Sequence, residues 1–419
     1  MTLAGNYKKI RLNISDGVAT DMKLEPLAYH KRVADALMSK ETDLWNWFES
    51  DKFSEQYRRE VKLRLSKSAI QLGRDSNANN ARRYELAETA RDKLGLTADI
   101  VLYQSQDSGG LPNAGLYYIP DQITVEFCGR ILELLDEDEL LDLLGHEIAH
   151  YKLYQEDGGR HHTAVRLVHW ICQRDDCPLP WIETARRLSL YTEIYCDTAG
   201  FIVTGNRDTS IRGLAKTVAD FKDADARTYL AQAEAILEQE KAGSQGFSHP
   251  ELYIRAKAIA NREALDEPAF EASLVPLIEG PLDIDALDIL GQETLQDLTR
   301  SLIDRFTRPE VNRSDALMAH ARQLFPKYRW PAKSALSTFA LPELTPQTRE
   351  YLAYVLLDLT QCDQARAEDA LATALVVARQ SGLDAAFRKI ARKELKKTTD
   401  EMAKFERHGV TMLGGVADA

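Results

Sequence analysis

Residues 136–153 read DEDELLDLLGHEIAHYKL and predict a long helix inside the fold. Asp136 is a good N-cap, and Glu139 can complete a capping box by reaching back to the backbone of Asp136. Apolar side chains then recur almost all round the helix, which is typical of a buried element. They are Leu140, Leu141, Leu143, Leu144, Ile148 and Leu153. The remaining polar side chains of this helix therefore need partners within the protein.

The same helix carries an H-E-x-x-H motif. His146 and His150 are four residues apart, so both imidazoles project from one face and can bind the same metal ion. Glu147 lies beside the first of these ligands and can take a proton from water that a zinc ion has acidified. The motif predicts a zinc site with Glu147 as the general base. Because a catalytic zinc usually has three protein ligands, a third ligand must come from another segment.

A second helix supplies the candidate third ligand. Glu193 and Asp197 form an E-x-x-x-D pair, again four residues apart, on a helix that is otherwise largely apolar. We assign Glu193 to the metal and Asp197 to the free ring N–H of a ligating histidine, which it would orient. The small residues Ala199 and Gly200 would let the two helices approach closely.

Other histidines are weaker candidates for the third ligand. A metzincin arrangement would need Gly at position 153 and His at position 156, where this chain has Leu153 and Glu156. His161, His162 and His169 are further rivals. The pair His161 and His162 follows two glycines, and we expect it to be exposed to solvent in a loop rather than bound to metal.

A third motif begins at His249. Pro250 follows it and fits the first turn of a helix, which would place His249 at the helix entrance. There it can donate a hydrogen bond to the oxyanion that forms when hydroxide attacks a peptide carbonyl. A histidine that simply caps the helix is the alternative interpretation.

The three motifs occur in one order along the chain, and Arg255 follows His249 by six residues. Together they resemble the zinc metallopeptidase family of HtpX-type proteases and CAAX prenyl proteases. The resemblance covers roughly residues 94–260 and implies a gluzincin-type domain with one zinc ion per chain. It gives the zinc ligands as His146, His150 and Glu193.

The resemblance also implies roles around the metal. Glu147 would be the base, and His249 and Arg255 would support the substrate or the transition state. An extended substrate strand would pair with an edge strand at about residues 113–118, which gives as substrate-binding residues Asn113, Ala114 and Gly115. The best-known relatives are embedded in membranes, so their prenylated or membrane substrates do not carry over to this chain.

The rest of the chain predicts an α+β protein that is mostly α, with a small antiparallel sheet and an all-helical C-terminal region. Strands are expected at residues 98–104, 116–119 and 123–127, the last two joined in a hairpin. The expected organisation has four parts. These are an N-terminal helical segment (1–80), a metallopeptidase domain (81–265), a C-terminal helical domain (266–408) and a disordered tail (409–419).

Composition narrows the functional classes. The 419 residues carry a formal net charge of -12, which argues against nucleic acid as the main partner. The first 19 residues lack the apolar core of a secretory signal, and no later stretch is apolar enough to span a membrane. Five scattered cysteines do not suggest a disulfide framework. We therefore expect a soluble, cytoplasmic protein.

These observations predict a zinc-dependent endopeptidase acting on a protein or peptide substrate. The first alternative is a latent or gated peptidase that acts mainly as a helical regulator, with a protein partner bound through the C-terminal helices. A purely structural zinc is the second alternative, but such sites are usually four-coordinate and rich in cysteine.

Overall fold

The computed structural model describes residues 22–106, 110–239, 243–331 and 341–413. Helices make up 71% of the structure and a small four-stranded sheet accompanies them, so the prediction of a mostly α, α+β protein is confirmed. The chain divides into two compact units. The first comprises residues 1–175 and 185–279, and the second comprises residues 176–184 and 280–419. The first 19 residues, which are predicted to lack a secretory signal, lie outside the described ranges.

The first unit contains the sheet and the motifs. Its helices are α1 Ala28–Lys40, α2 Thr42–Phe48, α3 Asp51–Ser68, α4 Ala78–Lys93, α5 Ile131–Leu134, α6 Glu137–Gln155, α7 Arg160–Cys172, α8 Leu179–Thr204, α9 Arg207–Ala219, α10 Ala226–Gln239, α11 Leu252–Ala264 and α12 Glu267–Ile278. The first residues of α8, up to residue 184, are assigned to the second unit. No helix in the described ranges is both long enough and apolar enough to cross a membrane.

The sheet is mixed, which corrects the prediction of an antiparallel sheet. Its strands are β1 Ala69–Gln71, β2 Asp99–Ser105, β3 Asn113–Ile119 and β4 Gln122–Cys128, in the order β1-β2-β4-β3. β3 and β4 form the expected antiparallel hairpin, but β4 pairs with β2 in parallel. β4 can pair with β2 because β3 lies at the edge of the sheet, which leaves β4 between β3 and β2. The edge position of β3 matters for the cleft described below.

The predicted capping box of α6 is present. Asp136 accepts a hydrogen bond from the Glu139 backbone amide at 2.9 Å, and the Glu139 carboxylate accepts one from the Asp136 amide at 3.0 Å. Glu139 is also fully buried between two cations of α9, with its carboxylate 2.7 Å from Lys216 Nζ and 2.5 Å from Arg212 Nε. One side chain thus starts α6 and joins it to α9.

The N-terminal helices pack on the rest of the first unit. Tyr29 of α1 stacks on Tyr191 of α8 with ring centroids 4.5 Å apart. The buried His30 accepts the backbone N–H of Leu27 at Nδ1, and its Nε2 lies 3.2 Å from the hydroxyl of Thr192. Helix α1, which belongs to the N-terminal helical segment predicted at residues 1–80, therefore packs against the helix that carries the E-x-x-x-D motif.

The second unit contains α13 Ile289–Thr307, α14 Asp315–Leu324, α15 Pro346–Gln361, α16 Ala367–Gln380, α17 Asp384–Glu394 and α18 Thr399–Met412. Leu302, Phe306, Leu356 and Phe387 lie at the centre of its own hydrophobic core. The unit begins at Gly280 rather than at 266, because α12 packs on α11 in the first unit. α18 continues to Met412, so the predicted disorder from residue 409 is wrong for its first residues, and residues 414–419 lie outside the described ranges.

Candidate metal centre

Helices α6 and α8 cross in close contact, which brings the first two motifs together. A Cβ atom at Gly145 would lie 3.1 Å from Gly200 Cα, and one at Gly200 would lie 2.8 Å from a carboxylate oxygen of Asp142. Larger side chains at either glycine would therefore separate the helices. The close approach of the two helices brings His146 of α6 near Glu193 of α8.

The imidazoles of His146 and His150 and the carboxylate of Glu193 lie close together beside this crossing. His146 Nε2 lies 3.5 Å from Glu193 Oε2, and His150 Nε2 lies 3.8 Å from Glu193 Oε1. Ligands bound at zinc distances in a tetrahedral site are separated by about 3.4 Å, close to these values. Glu193 Oε2 is buried and makes no hydrogen bond to any described residue. A buried carboxylate oxygen without such a partner fits a metal ligand.

Asp197 orients the first histidine. Its Oδ1 lies 3.0 Å from His146 Nδ1, which fixes the proton on that nitrogen and leaves Nε2 able to bind a metal. Arg255 in turn donates to both oxygens of Asp197, each at 2.7 Å. Its guanidinium also lies 3.4 Å from Glu193 Oε2. Arg255, predicted to support the substrate, therefore holds two carboxylates in place within the protein.

The electrostatics of this cluster favour a cation. Burial alone would lower the pKa of His146, but the neighbouring carboxylates of Asp197 and Glu193 outweigh it and raise the pKa to about 10. Burial likewise acts to raise the pKa of Glu193, yet His146 and Arg255 hold it below its ordinary value. Burial lowers the pKa of His150 to about 4, so this imidazole is neutral and can donate a lone pair. Without a metal, His146 therefore carries a second proton that a divalent metal would displace, whereas His150 is already neutral.

Cys196 is a second candidate for the third ligand that the sequence interpretation missed. Its Sγ, with nitrogen atoms of His146 and His150, forms a group whose members all lie within 4.8 Å of one another. Burial, and then the neighbouring Glu193, raise the pKa of Cys196 well above its ordinary value. Glu193 lines the cleft in front of the histidines whereas Cys196 does not.

Glu147 lies between the histidines and the sheet. It is buried, and burial raises the pKa of its carboxyl to about 7. The backbone amide of Leu116 in β3 hydrogen-bonds this carboxylate. A carboxyl with a pKa near neutrality, fixed beside a metal site, can exchange protons at physiological pH.

A cleft of about 680 Å³ opens in front of these groups. Residues 113–116 of β3 form one wall, and they include the predicted substrate-binding residues Asn113, Ala114 and Gly115. The lining also includes the apolar residues Leu135, Leu143 and Leu214. Since β3 is an edge strand, its outer backbone groups are available to an extended chain in this cleft.

His249 lies at the mouth of the cleft, with its side chain about half exposed. Its Nε2 is 3.5 Å from Glu193 Oε2 and its Nδ1 is 2.9 Å from the hydroxyl of Ser248. Helix α11 begins only at Leu252, so the expectation that Pro250 forms its first turn is wrong. The N-cap of α11 is Glu251, whose carboxylate accepts two hydrogen bonds from the preceding loop and so fixes that loop. The donors are the hydroxyl of Ser244 at 2.6 Å and the backbone amide of Gln245 at 2.8 Å.

The rival histidines are not at this centre. His161 and His162 are buried in the first turn of α7, which corrects the expectation that they are exposed. The ring of His161 lies 6.1 Å from that of His30, and the ring of His162 lies 4.3 Å from that of Tyr118. His169, in the last turn of α7, does not line the cleft.

Comparisons of the chain with protein-family models, with curated proteins and with solved structures find no match. The functional argument therefore rests on the residues of the site.

Proposed function

We propose that this protein is a zinc-dependent endopeptidase of the gluzincin type, related to the HtpX-type and CAAX prenyl proteases. The observation that carries the proposal is the buried carboxylate of Glu193, whose Oε2 lies 3.5 Å from His146 Nε2 and whose Oε1 lies 3.8 Å from His150 Nε2, with Glu147 alongside. A bound zinc ion would supply a Lewis acid that brings the pKa of a water molecule near 7 and polarises a carbonyl group.

Glu147 acts in this proposal as the base and then as the acid. With a pKa of about 7, its carboxylate accepts a proton from the attacking water and returns it to the leaving amine. The amide of Leu116 keeps the carboxylate aligned while it changes charge. Asp197 and Arg255 act through His146, because they hold its ring with Nε2 directed at Glu193.

Strand β3 positions the substrate as an extended chain. Leu116 directs its backbone amide toward Glu147, so the backbone of every second residue along β3 faces the cleft. Ala114 therefore offers its N–H and C=O to a substrate strand, whereas its neighbours Asn113 and Gly115 direct theirs toward β4. The leucines in the cleft lining would contact an apolar substrate side chain.

His249 stabilises the charge that develops on the carbonyl oxygen. Its position at the cleft mouth, 3.5 Å from Glu193, leaves the imidazole accessible to a bound peptide. A hydrogen bond to the oxyanion would strengthen in the transition state.

The proposal is tested by zinc content and by cleavage of unfolded casein by the purified full-length chain. We expect one zinc per chain and cleavage that a chelator abolishes and added zinc restores. Glu147→Gln should keep the metal, because Glu147 is not a ligand, while its rate falls by about 10²–10⁴-fold. Substantial cleavage by that variant would refute the role of Glu147, and absence of zinc from the wild type would refute the metal centre. Zinc without cleavage would favour a gated peptidase that needs a partner.

A further inference from the structure

A second cavity of about 430 Å³ lies in the first unit, away from the cleft. Its wall combines aromatic rings, a guanidinium and the beginning of α7. The lining residues that matter are Tyr57, Tyr118, Gly159, His162 and Arg166. Tyr154, which lines the cleft, packs against His162 with ring centroids 5.1 Å apart and so separates the two spaces. The motifs discussed above contribute nothing to this wall.

The start of α7 forms part of this wall. Gly158 and Gly159 adopt positive φ angles of 71° and 90°, and Gly159 is the N-cap. No side chain caps the helix, so its first amides are not satisfied by a cap. A helix N-terminus of this kind carries a partial positive charge that attracts anions.

Two side chains add to this attraction. Arg166 lies over the rings of Phe48 and Tyr57 at 5.2 Å and 5.8 Å, which fixes its guanidinium at the cavity. Burial lowers the pKa of Arg166 to about 10, so it remains charged at neutral pH. His162 is only 8% exposed and makes no hydrogen bond within the described residues, although it lines the cavity.

His162 is in its neutral form. Burial, followed by the charge of Arg166, lowers the pKa of His162 to about 3. The neutral ring offers one N–H donor, and a buried polar group of this kind normally has a partner. A carboxylate is also present at the rim, on the exposed side chain of Glu49. Its charge opposes an anion, but it is solvated and therefore screened.

We propose that this cavity binds a small organic anion whose carboxylate or phosphate meets Arg166, His162 and the first turn of α7, with a planar apolar group between the tyrosine rings. Arginine and helix N-termini both recognise these two kinds of anion. The cavity volume lies in the range of small-molecule sites. The site is independent of the proposed peptidase function, since none of its polar groups belongs to the metal centre.

Titration calorimetry on the full-length, chelator-treated protein tests the site with benzoate, phenyl phosphate and inorganic phosphate. We expect saturable binding of one of the two aromatic anions, and the one that binds identifies the anionic group. Inorganic phosphate should bind at least tenfold more weakly, because it lacks the planar group. Arg166→Met and His162→Phe should each weaken binding about tenfold or more. Glu49→Gln should tighten binding about twofold, a gain that unfolding cannot mimic.

Glu193→Ala is the matched control, because it alters the metal centre and should leave the affinity unchanged. Thermal unfolding of each variant, followed by circular dichroism, verifies that it is folded. The proposal is overturned if neither aromatic anion binds saturably, or if folded Arg166→Met binds as tightly as the wild type. Weaker binding in Glu193→Ala would likewise overturn it, because the anion would then be in the cleft.

Discussion

Glu193 and Cys196 compete for the third position at the proposed metal site. Glu193 faces the cleft, whereas Cys196 is fully buried behind it and has a raised thiol pKa. We therefore expect Glu193→Ala to lower zinc affinity by more than about 100-fold, beyond the loss typical of residues outside the ligand set. Cys196→Ala should retain one zinc per chain. Competition with a chromophoric chelator measures both affinities, and the reverse ranking would transfer the ligand role to Cys196.

The ligand motifs were accessible from sequence because each is a short pattern within one helix. Residues four apart share a helix face, so the pairing of His146 with His150 and of Glu193 with Asp197 follows from spacing alone. Cys196 was missed although it lies three residues after Glu193, a spacing that also shares a face. The contact between Arg255 and Asp197 joins distant segments, and only the resemblance had singled out Arg255.

Within the element α6, Glu139 serves both as a capping residue and as the buried anion for α9. Glu139→Gln keeps a side chain that can complete the capping box but leaves the buried Lys216 without its anion. We expect the free energy of unfolding to fall by about 3–5 kcal/mol, the usual effect of removing one partner of a buried ion pair. Urea denaturation followed by circular dichroism measures this change.

Asp138→Asn is the control for that experiment. Asp138 lies in the same helical turn but is exposed, so its loss should cost less than about 1 kcal/mol through the helix dipole. Equal losses from the two substitutions would show that the buried ion pair contributes little to stability.

Helix α1 is attached to α8 through a neutral histidine, which makes its docking sensitive to acid. Burial, followed by the charge of His161, lowers the pKa of His30 to about 3, against about 6.5 in the unfolded chain. The unfolded state therefore binds a proton first as pH falls below 6.5, and stability is lost progressively between pH 6.5 and 3. From pH 7 to pH 5 this histidine alone should remove about 2 kcal/mol.

His30→Asn should flatten that part of the pH dependence, because the amide can accept the Leu27 N–H without titrating. Urea unfolding of both proteins at pH 7, 6 and 5 makes the comparison. The control substitution is His408→Asn, which removes an exposed histidine of the second unit. An identical slope in wild type and His30→Asn would show that His30 is not the group responsible.

In the sheet, the positions of the strands along the chain could be predicted from sequence, whereas their order in the sheet could not. Runs of β-branched and aromatic residues located β2, β3 and β4, and the short connection predicted at Pro120, Asp121 and Gln122 identified the hairpin, although Gln122 itself pairs with Ile119. Strand order is set by contacts between distant segments, so the insertion of β4 beside β2 left no local signal. The three-residue strand β1 was too short to show a periodic pattern. The same distinction explains His161 and His162, whose burial depends on neighbouring helices and not on the glycines before them.

The whole molecule divides into two compact units, and the residues of the proposed metal centre all belong to the first unit. We therefore expect two thermal transitions, of which one depends on zinc. Zinc present at about 100 times its dissociation constant stabilises the folded state by about 2.7 kcal/mol. For a unit of this size, chelation should lower the midpoint of that transition by about 5–10 °C and leave the other unchanged. Differential scanning calorimetry with and without chelator measures both midpoints.

Two variants assign the transitions to the units. Glu193→Ala should abolish the effect of the chelator on the zinc-dependent transition. Phe387→Ala removes a buried ring from the core of the second unit, at a cost of about 3–5 kcal/mol, and should lower only the zinc-independent transition. If chelation instead shifts both transitions equally, or if Phe387→Ala shifts the zinc-dependent one, the two units unfold as one. In that case the C-terminal helices share the stability of the site, which is the physical condition that gating by those helices requires.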